Sequence, residues 1–125
     1  MSRVGIVEDD AGNQRALARL LRAAGLHPVT FASAEDYLLA AGDAEIACLV
    51  VDVQLGGMSG FELQRRLSAS ASTPPVVFLT AAEEGEASER AARAGCAYVR
   101  KNAPAADLLS AIHDAVASFH PCPKG

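Results

Sequence analysis

The sequence has few cysteines, no excess of positive charge and no long apolar run, and each shortage excludes a class of protein. Its three cysteines are not arranged as C-x-x-C, which argues against a disulfide framework and against a zinc site. The net charge of -4 gives no electrostatic basis for nucleic-acid binding by this chain. No apolar run approaches the roughly 20 residues of a membrane span, and no signal peptide is evident. We therefore expect a cytoplasmic protein that makes no contact with a membrane.

The chain does contain a regular alternation of strand-like and helix-like segments. Its 125 residues are half hydrophobic and 21% charged, which fits one domain with one proper core. We expect that domain over 1–119, with 120–125 as a C-terminal tail or the start of a linker. The predicted strands cover 3–7, 27–31, 46–51, 75–79 and 97–100. The predicted helices cover 11–24, 33–41, 60–70, 83–94 and 105–119. This (βα)5 alternation predicts an α/β fold, a doubly wound, five-stranded parallel sheet with helices on both faces.

Local signals agree with these boundaries. Asp10 stands before an apolar-periodic run, as an N-cap does, and Gly25 is placed to end the first helix. Ser33 and Asp36 form a weaker relative of a capping box at the start of the second helix. The segment 83–94 offers only alanines as inward residues. It is either a short alanine-rich helix or an element that can move.

Chemically active side chains follow the predicted strands. Glu8 and Asp9 come after the first strand, Asp52 comes directly after the apolar run of the third, Thr80 follows the fourth and Lys101 follows the fifth. In a parallel sheet these strand ends share one edge, where ligand sites form. Grouped carboxylates need a cation, and oxygen ligands suit Mg²⁺. An ammonium and a hydroxyl beside a metal suit phosphoryl oxygens, which makes Asp52 the candidate nucleophile.

Five short stretches, taken in order along the chain, carry a family resemblance. They are Val7–Asp10, Val51–Gly60, Phe78–Ala81, Arg93–Gly95 and the Tyr98-x-x-Lys101 motif. Together they resemble the receiver domain of two-component response regulators, over essentially the whole chain. The resemblance implies a flavodoxin-like sheet with the strand order 2-1-3-4-5.

The resemblance also implies a metal site around Asp52. Asp52 looks like the residue that accepts a phosphoryl group and, with Asp9, a direct ligand of Mg²⁺. The backbone carbonyl of Gln54 looks like a further ligand, and Glu8 looks like one that acts through water.

Three more residues take roles implied by the resemblance. Thr80 looks like the hydroxyl that turns towards the phosphoryl group, and Tyr98 looks like the aromatic switch residue that moves with it. Lys101 looks like the lysine that pairs with an acyl-phosphate oxygen. Such a domain modifies itself and turns over no outside substrate, so we do not expect an enzyme in the usual sense.

The resemblance implies partners as well. The phosphodonor would be a histidine kinase or a phosphotransfer protein. Arg15, Arg19 and Arg22, on one face of the first helix, form either its docking stripe or a solvated face. The fourth helix, fifth strand and fifth helix would form the surface that switches. That surface would control an output such as transcription and is the candidate surface for a homodimer.

The sequence departs from the family pattern near the site. Asn102 follows the lysine where proline is usual, Gly56 replaces another common proline, and one residue is missing between Gly95 and Tyr98. A cis peptide bond is far less unfavourable before proline than before any other residue. We therefore expect a trans Lys101–Asn102 bond or a strained cis one. These departures leave open a receiver-like module that works without phosphorylation. An aspartyl phosphatase is a further alternative, although Gln54 stands where such enzymes need a second aspartate.

Overall fold

The computed structural model of the chain describes residues 3–40, 46–53, 60–68, 74–80, 97–101 and 103–118. In these residues the strands are β1 (Arg3–Val7), β2 (His27–Phe31), β3 (Cys48–Asp52), β4 (Val76–Thr80) and β5 (Ala97–Arg100). The helices are α1 (Ala11–Ala23), α2 (Ala34–Ala40), α3 (Gly60–Ser68) and the C-terminal helix α4 (Ala105–Ser118). The helix predicted over 83–94 lies outside the described residues, as do the tail and the cysteines Cys96 and Cys122.

The strands form one parallel sheet with the order β2-β1-β3-β4-β5, which confirms the predicted fold and strand order. All residues of β3 and β4 are buried, as expected for central strands whose sequences are continuously apolar. From β1 the chain crosses first to β2 on one side and then to β3 on the other. This reversal makes the carboxyl ends of β1 and β3 the place where an open sheet of this kind binds its ligands.

Apolar side chains pack on both faces of the sheet. The face covered by α2 and α3 buries Val7, Ala34, Tyr37, Leu49, Val51, Val53, Leu63, Val76 and Phe78. The face covered by α1 and α4 buries Val4, Ile6, Ala18, Leu21, Cys48, Val50, Val77, Leu79, Val99, Leu108 and Ile112. Alternate residues of each central strand therefore enter different cores, which holds the strand ends in a fixed position. Cys48 is a free thiol buried in this second core.

Capping residues support the predicted limits of the first helix and the predicted start of the second. The Asp10 side chain accepts a hydrogen bond from the backbone N–H of Asn13 at 2.8 Å, which makes it the N-cap of α1. Gly25 follows the helix with a φ of +83°, a left-handed conformation that glycine adopts without strain. The Ser33 hydroxyl accepts a hydrogen bond from the Asp36 N–H at 3.0 Å in the same way.

Two strand boundaries differ from prediction. The third strand, expected over 46–51, runs over Cys48–Asp52, and the fourth, expected over 75–79, runs over Val76–Thr80. Asp52 and Thr80 are therefore the last paired residues of their strands rather than the first residues beyond them. Among the described helices, none has the length and apolar character needed to cross a bilayer.

Candidate functional site

The polar residues predicted at the strand ends meet at the carboxyl edge of the sheet. Glu8 follows β1, Asp52 ends β3, Thr80 ends β4 and Lys101 follows β5. Glu8 is 1% exposed, Asp52 3% and Thr80 0%, which is unusual for such polar side chains. Buried polar groups are costly, so their concentration at one edge indicates a site rather than a surface.

Backbone hydrogen bonds hold these strand ends together. The N–H of Val53 donates to the Leu79 carbonyl at 3.1 Å, and the N–H of Lys101 donates to the Thr80 carbonyl at 2.7 Å. Both bonds continue the sheet one residue beyond β3 and β5. The side chains of Asp52 and Lys101 consequently project from ordered backbone, which fixes their separation.

Three carboxylates converge at this edge. Glu8, Asp9 and Asp52 each place one carboxylate oxygen so that the three atoms lie within 4.8 Å of one another. Glu8 and Asp52 are buried, whereas Asp9 is exposed. A cluster of this kind has a closed side within the sheet and an open side at Asp9, where solvent reaches it.

The Lys101 ammonium lies directly against the cluster. Its Nζ is 2.6 Å from Asp52 Oδ2, to which it donates a hydrogen bond, and 3.9 Å from Glu8 Oε2. The lysine side chain is 36% exposed, so it lies between the buried acids and the solvent. One ammonium thus offsets part of the negative charge that three carboxylates bring together.

Burial and neighbouring charge shift the protonation of this group of residues. Burial raises the pKa of Glu8, and the Asp52 carboxylate raises it further, while Lys101 acts in the opposite direction. Burial alone would lower the pKa of Lys101. The hydrogen bond and charge of Asp52, together with Glu8 and Asp9, outweigh burial and raise the pKa of Lys101 overall. Lys101 is therefore a firmly charged ammonium at neutral pH.

Thr80 and Tyr98 occupy the neighbouring strands. The Thr80 hydroxyl oxygen is buried and has no hydrogen-bond partner among the described residues. A buried hydroxyl without a partner is costly, which marks it as a group that a ligand can satisfy. The Tyr98 side chain on β5 is 42% exposed, and its ring lies towards solvent. Its role as a switch remains a prediction.

The donors present fit a hard divalent cation. All three side chains of the cluster offer carboxylate oxygens, the ligand type that Mg²⁺ prefers. Glu8 Oε2 is buried and has no hydrogen-bond partner among the described residues, so it has capacity for a further interaction. The predicted third ligand, the carbonyl of Gln54, lies outside the described residues, as do Gly56 and Asn102 with the Lys101–Asn102 bond.

Two residues that the sequence reasoning missed support Glu8 from the first turn of α1. The Asn13 side-chain amide donates to Glu8 Oε1 at 3.4 Å, and the Gln14 side-chain amide donates to the Glu8 carbonyl at 2.5 Å. The available signal was the position of Asn13 three residues after the N-cap Asp10. Side chains on a helix lean towards its N-terminus, and here they lean towards Glu8.

Comparison with known proteins agrees with this geometry. The family model described as the response regulator receiver domain matches residues 4–113. The chain belongs to this receiver-domain family. It is therefore a receiver domain of the kind found in two-component response regulators, and such domains are signalling modules rather than enzymes in the usual sense.

Curated relatives of this receiver domain are longer than the chain. It is 33% identical over 117 residues to the transcriptional regulatory protein TdiR of Thauera aromatica, covering 93% of the chain and 52% of TdiR. It is 33% identical over 116 residues to the response regulator protein TmoT of Ectopseudomonas mendocina, covering 92% of the chain and 53% of TmoT. The receiver domain thus spans about half the length of these relatives.

Solved structures share its fold. A response regulator receiver protein from Burkholderia phymatum is 34% identical with a TM-score of 0.80, over 94% of this chain and 96% of that one. FixJ-N is 27% identical with a TM-score of 0.88, over 96% of this chain and 97% of that one. The parallel sheet and the position of its carboxyl edge are therefore those of the receiver family.

Proposed function

We propose that this receiver domain accepts a phosphoryl group on Asp52 from a phosphohistidine of a histidine kinase or phosphotransfer protein. The observation that carries the proposal is the buried Asp52 carboxylate, which lies 2.6 Å from the Lys101 ammonium and beside two further carboxylates. A buried carboxylate with a charged hydrogen-bond donor is held in one orientation, which suits an in-line attack.

The transfer balances as a simple displacement. A carboxylate oxygen of Asp52 attacks the phosphorus, the P–N bond of the phosphohistidine breaks, and its electron pair returns to the ring nitrogen. The other ring nitrogen of the phosphohistidine carries a proton when the bond breaks, so the imidazole leaves as a neutral group that keeps this proton, and Asp52 becomes an acyl phosphate. The Lys101 ammonium then pairs with a phosphoryl oxygen, which keeps a positive charge beside the added negative charge.

In this proposal Asp9, Asp52 and the Gln54 carbonyl would hold Mg²⁺ directly, and Glu8 would hold it through water. When bound, the metal neutralises charge on the carboxylates and on the incoming phosphoryl oxygens. Glu8 Oε2 supports the place of this residue at the site, because the oxygen is buried, has no hydrogen-bond partner among the described residues and lies 3.9 Å from Lys101 Nζ.

Phosphorylation would then be read by Thr80 and Tyr98. The buried Thr80 hydroxyl, without a partner among the described residues, donates to a phosphoryl oxygen once one is present. Its movement leaves space at β4, and the exposed Tyr98 ring of the neighbouring β5 turns inward to fill that space. The affected surface comprises the segment 83–94, β5 and α4. Phosphorylation biases a pre-existing equilibrium between two conformations of this surface rather than creating a new state.

The output of this surface is proposed to be control of transcription, because TdiR is named as a transcriptional regulatory protein. The same surface is the proposed site of homodimerisation. The proposal assigns residues 1–119 to the receiver domain and 120–125 to a tail or linker, and it places the protein in the cytoplasm with its kinase.

A phosphate-affinity gel tests the proposed function. The protein is incubated with acetyl phosphate and Mg²⁺, and we expect a retarded band that is absent in Asp52→Asn and lost when the metal is chelated. Asp107→Asn is the matched control, because Asp107 is an exposed acid on α4, and it should be retarded like the wild type. No retarded wild-type band would refute the proposal and favour a module that works without phosphorylation.

A further inference from the structure

Glu8 is a buried acid of the site, and its two carboxylate oxygens have different partners. Its Oε1 accepts hydrogen bonds from the Asp10 N–H at 3.2 Å and from the Asn13 side-chain amide at 3.4 Å. Its Oε2 has no such partner among the described residues and faces the Lys101 ammonium at 3.9 Å. The two oxygens of one carboxylate are thus in different surroundings, one held by α1 and the other turned to the site.

We propose that Asn13 is a positioning residue that directs Glu8 Oε2 towards the cation site and raises the metal affinity of this domain. The inference rests on the proposed function, since it concerns the same Mg²⁺. It goes beyond that function by assigning a role to a residue that touches neither the phosphoryl group nor the metal.

The contacts around Asn13 explain how it acts through Glu8. Its backbone N–H is bound by the Asp10 cap, which fixes the first turn of α1, and its side-chain amide reaches back to Glu8. The Gln14 amide binds the Glu8 carbonyl, so the backbone of Glu8 is held from the same turn. With its backbone fixed in this way, Glu8 has its Oε1 held by the Asn13 amide and the Asp10 N–H, which leaves Oε2 turned towards Lys101.

The size of the effect follows from the geometry of this contact. Groups that orient a metal ligand usually change metal affinity by 10- to 100-fold. The 3.4 Å separation is long for a hydrogen bond, and the Asp10 N–H remains on Oε1 when Asn13 is replaced. We therefore expect Asn13→Ala to weaken metal binding by roughly 3- to 10-fold, below or at the lower end of that range.

The fold should tolerate the change. Asn13 is exposed and lies within α1, where alanine is the better helix former. The thermal midpoint of the metal-free Asn13→Ala variant should therefore match or exceed that of the wild type. A loss of metal affinity without a loss of stability separates positioning from a general structural role.

The test is a calorimetric titration of the full chain with Mg²⁺ and with Mn²⁺. The comparison uses wild type, Asn13→Ala, Asn13→Gln, Asp9→Ala and Arg19→Ala, the last being an exposed substitution on α1. We expect binding by the wild type and Arg19→Ala, weaker binding by Asn13→Ala, and recovery of most of that loss in Asn13→Gln, which keeps an amide donor. Asp9→Ala should lose binding.

A spectroscopic readout accompanies the titration. The side-chain amide resonances of Asn13 should shift when Mg²⁺ is added to the wild type, because the carboxylate they contact becomes polarised. Equal metal affinity of wild type and Asn13→Ala would overturn this inference alone. No metal binding by the wild type would overturn both the inference and the proposed function.

Discussion

At the scale of single residues, Lys101 carries the charge that the buried acids require in the absence of a metal. Its ammonium is 2.6 Å from Asp52 and 3.9 Å from Glu8, two acids that are almost fully buried. A cation bound by the same acids must share this space and this charge with the lysine. Metal binding and the Lys101–Asp52 pair are therefore expected to compete.

Replacing Lys101 by methionine keeps the apolar stem and removes the charge. Breaking a buried ion pair typically costs 3–5 kcal/mol, and the 36% exposure of Lys101 reduces this to about 1–2 kcal/mol. Without metal, the free energy of unfolding in urea should fall by that amount. Mg²⁺ should then stabilise the variant more than the wild type, because no ammonium competes for Asp52.

Arg19→Met is the matched control for Lys101→Met. Arg19 is an exposed cation in the middle of α1, and its replacement should change the free energy of unfolding by less than about 0.5 kcal/mol. If Lys101→Met is as stable as this control without metal, Lys101 does not neutralise the buried acids.

At the scale of elements, the start of α3 packs unusually close to the end of β3. A Cβ atom added at Gly60 would lie 2.7 Å from the Asp52 carbonyl oxygen and 3.0 Å from Val53 Cα. Both neighbours are backbone atoms that cannot turn aside. The glycine therefore lets the helix approach the strand that carries Asp52.

Gly60→Ala should separate α3 from β3 and displace Asp52 from Lys101. We expect a loss of about 1–3 kcal/mol in the free energy of unfolding, the usual cost of overpacking, and slower phosphorylation by acetyl phosphate. Urea unfolding and the phosphate-affinity gel measure the two effects.

Gly12→Ala provides the comparison for Gly60→Ala. The nearest side-chain atom to its added Cβ is the capping oxygen Asp10 Oδ2 at 3.2 Å, which is farther away than the backbone oxygen met at Gly60. Alanine also favours the helical conformation of α1. This variant should be as stable as the wild type or more so, and equal losses in both variants would contradict the role of the close approach at Gly60.

The sequence predicted these elements better than it predicted their ends. Apolar runs identified β3 and β4, but a continuous run has no alternation that shows where pairing stops. Asp52 and Thr80 were therefore expected just beyond the strands, whereas both are paired within them. Asn13 was missed because its partner, Glu8, lies outside α1. The contact depends on the length and the burial of the Glu8 side chain, which the pattern of the helix does not show.

At the scale of the whole molecule, one sheet separates two apolar cores. Leu63 on α3 is buried in one core and Ile112 on α4 in the other, each with 0% exposure. Adjacent residues of β3 contribute to opposite cores, so neither core can lose its packing without disturbing the strand that carries Asp52.

Leu63→Ala and Ile112→Ala should each lower the free energy of unfolding by about 2–5 kcal/mol. Because the sheet is shared, each variant should still unfold in a single transition followed by far-ultraviolet circular dichroism. Leu39→Ala is the control, since Leu39 is 85% exposed and its removal should be nearly neutral. Two separate transitions in either core variant would show that the cores are independent.

The strand order was predictable only through the resemblance to receiver domains, because the alternation alone predicts a parallel sheet and not the order of its strands. The family match over 4–113 agrees with that resemblance. The grouping of Glu8, Asp9, Asp52 and Lys101 was predictable from the parallel sheet itself, because parallel strands bring their carboxyl ends to one edge. That Glu8 Oε2 and the Thr80 hydroxyl lack hydrogen-bond partners among the described residues was not predictable, because this results from the packing of several elements around each side chain.

The most direct test of Asp52 as the phosphoryl acceptor is chemical mapping of the modified residue. The protein is phosphorylated by acetyl phosphate with Mg²⁺, the acyl phosphate is reduced with borohydride, and the peptides are analysed by mass spectrometry. Reduction converts a phosphorylated aspartate to homoserine, and we expect homoserine at position 52 alone. Homoserine at another acid, or unmodified Asp52 in protein that carries a phosphoryl group, would contradict this assignment.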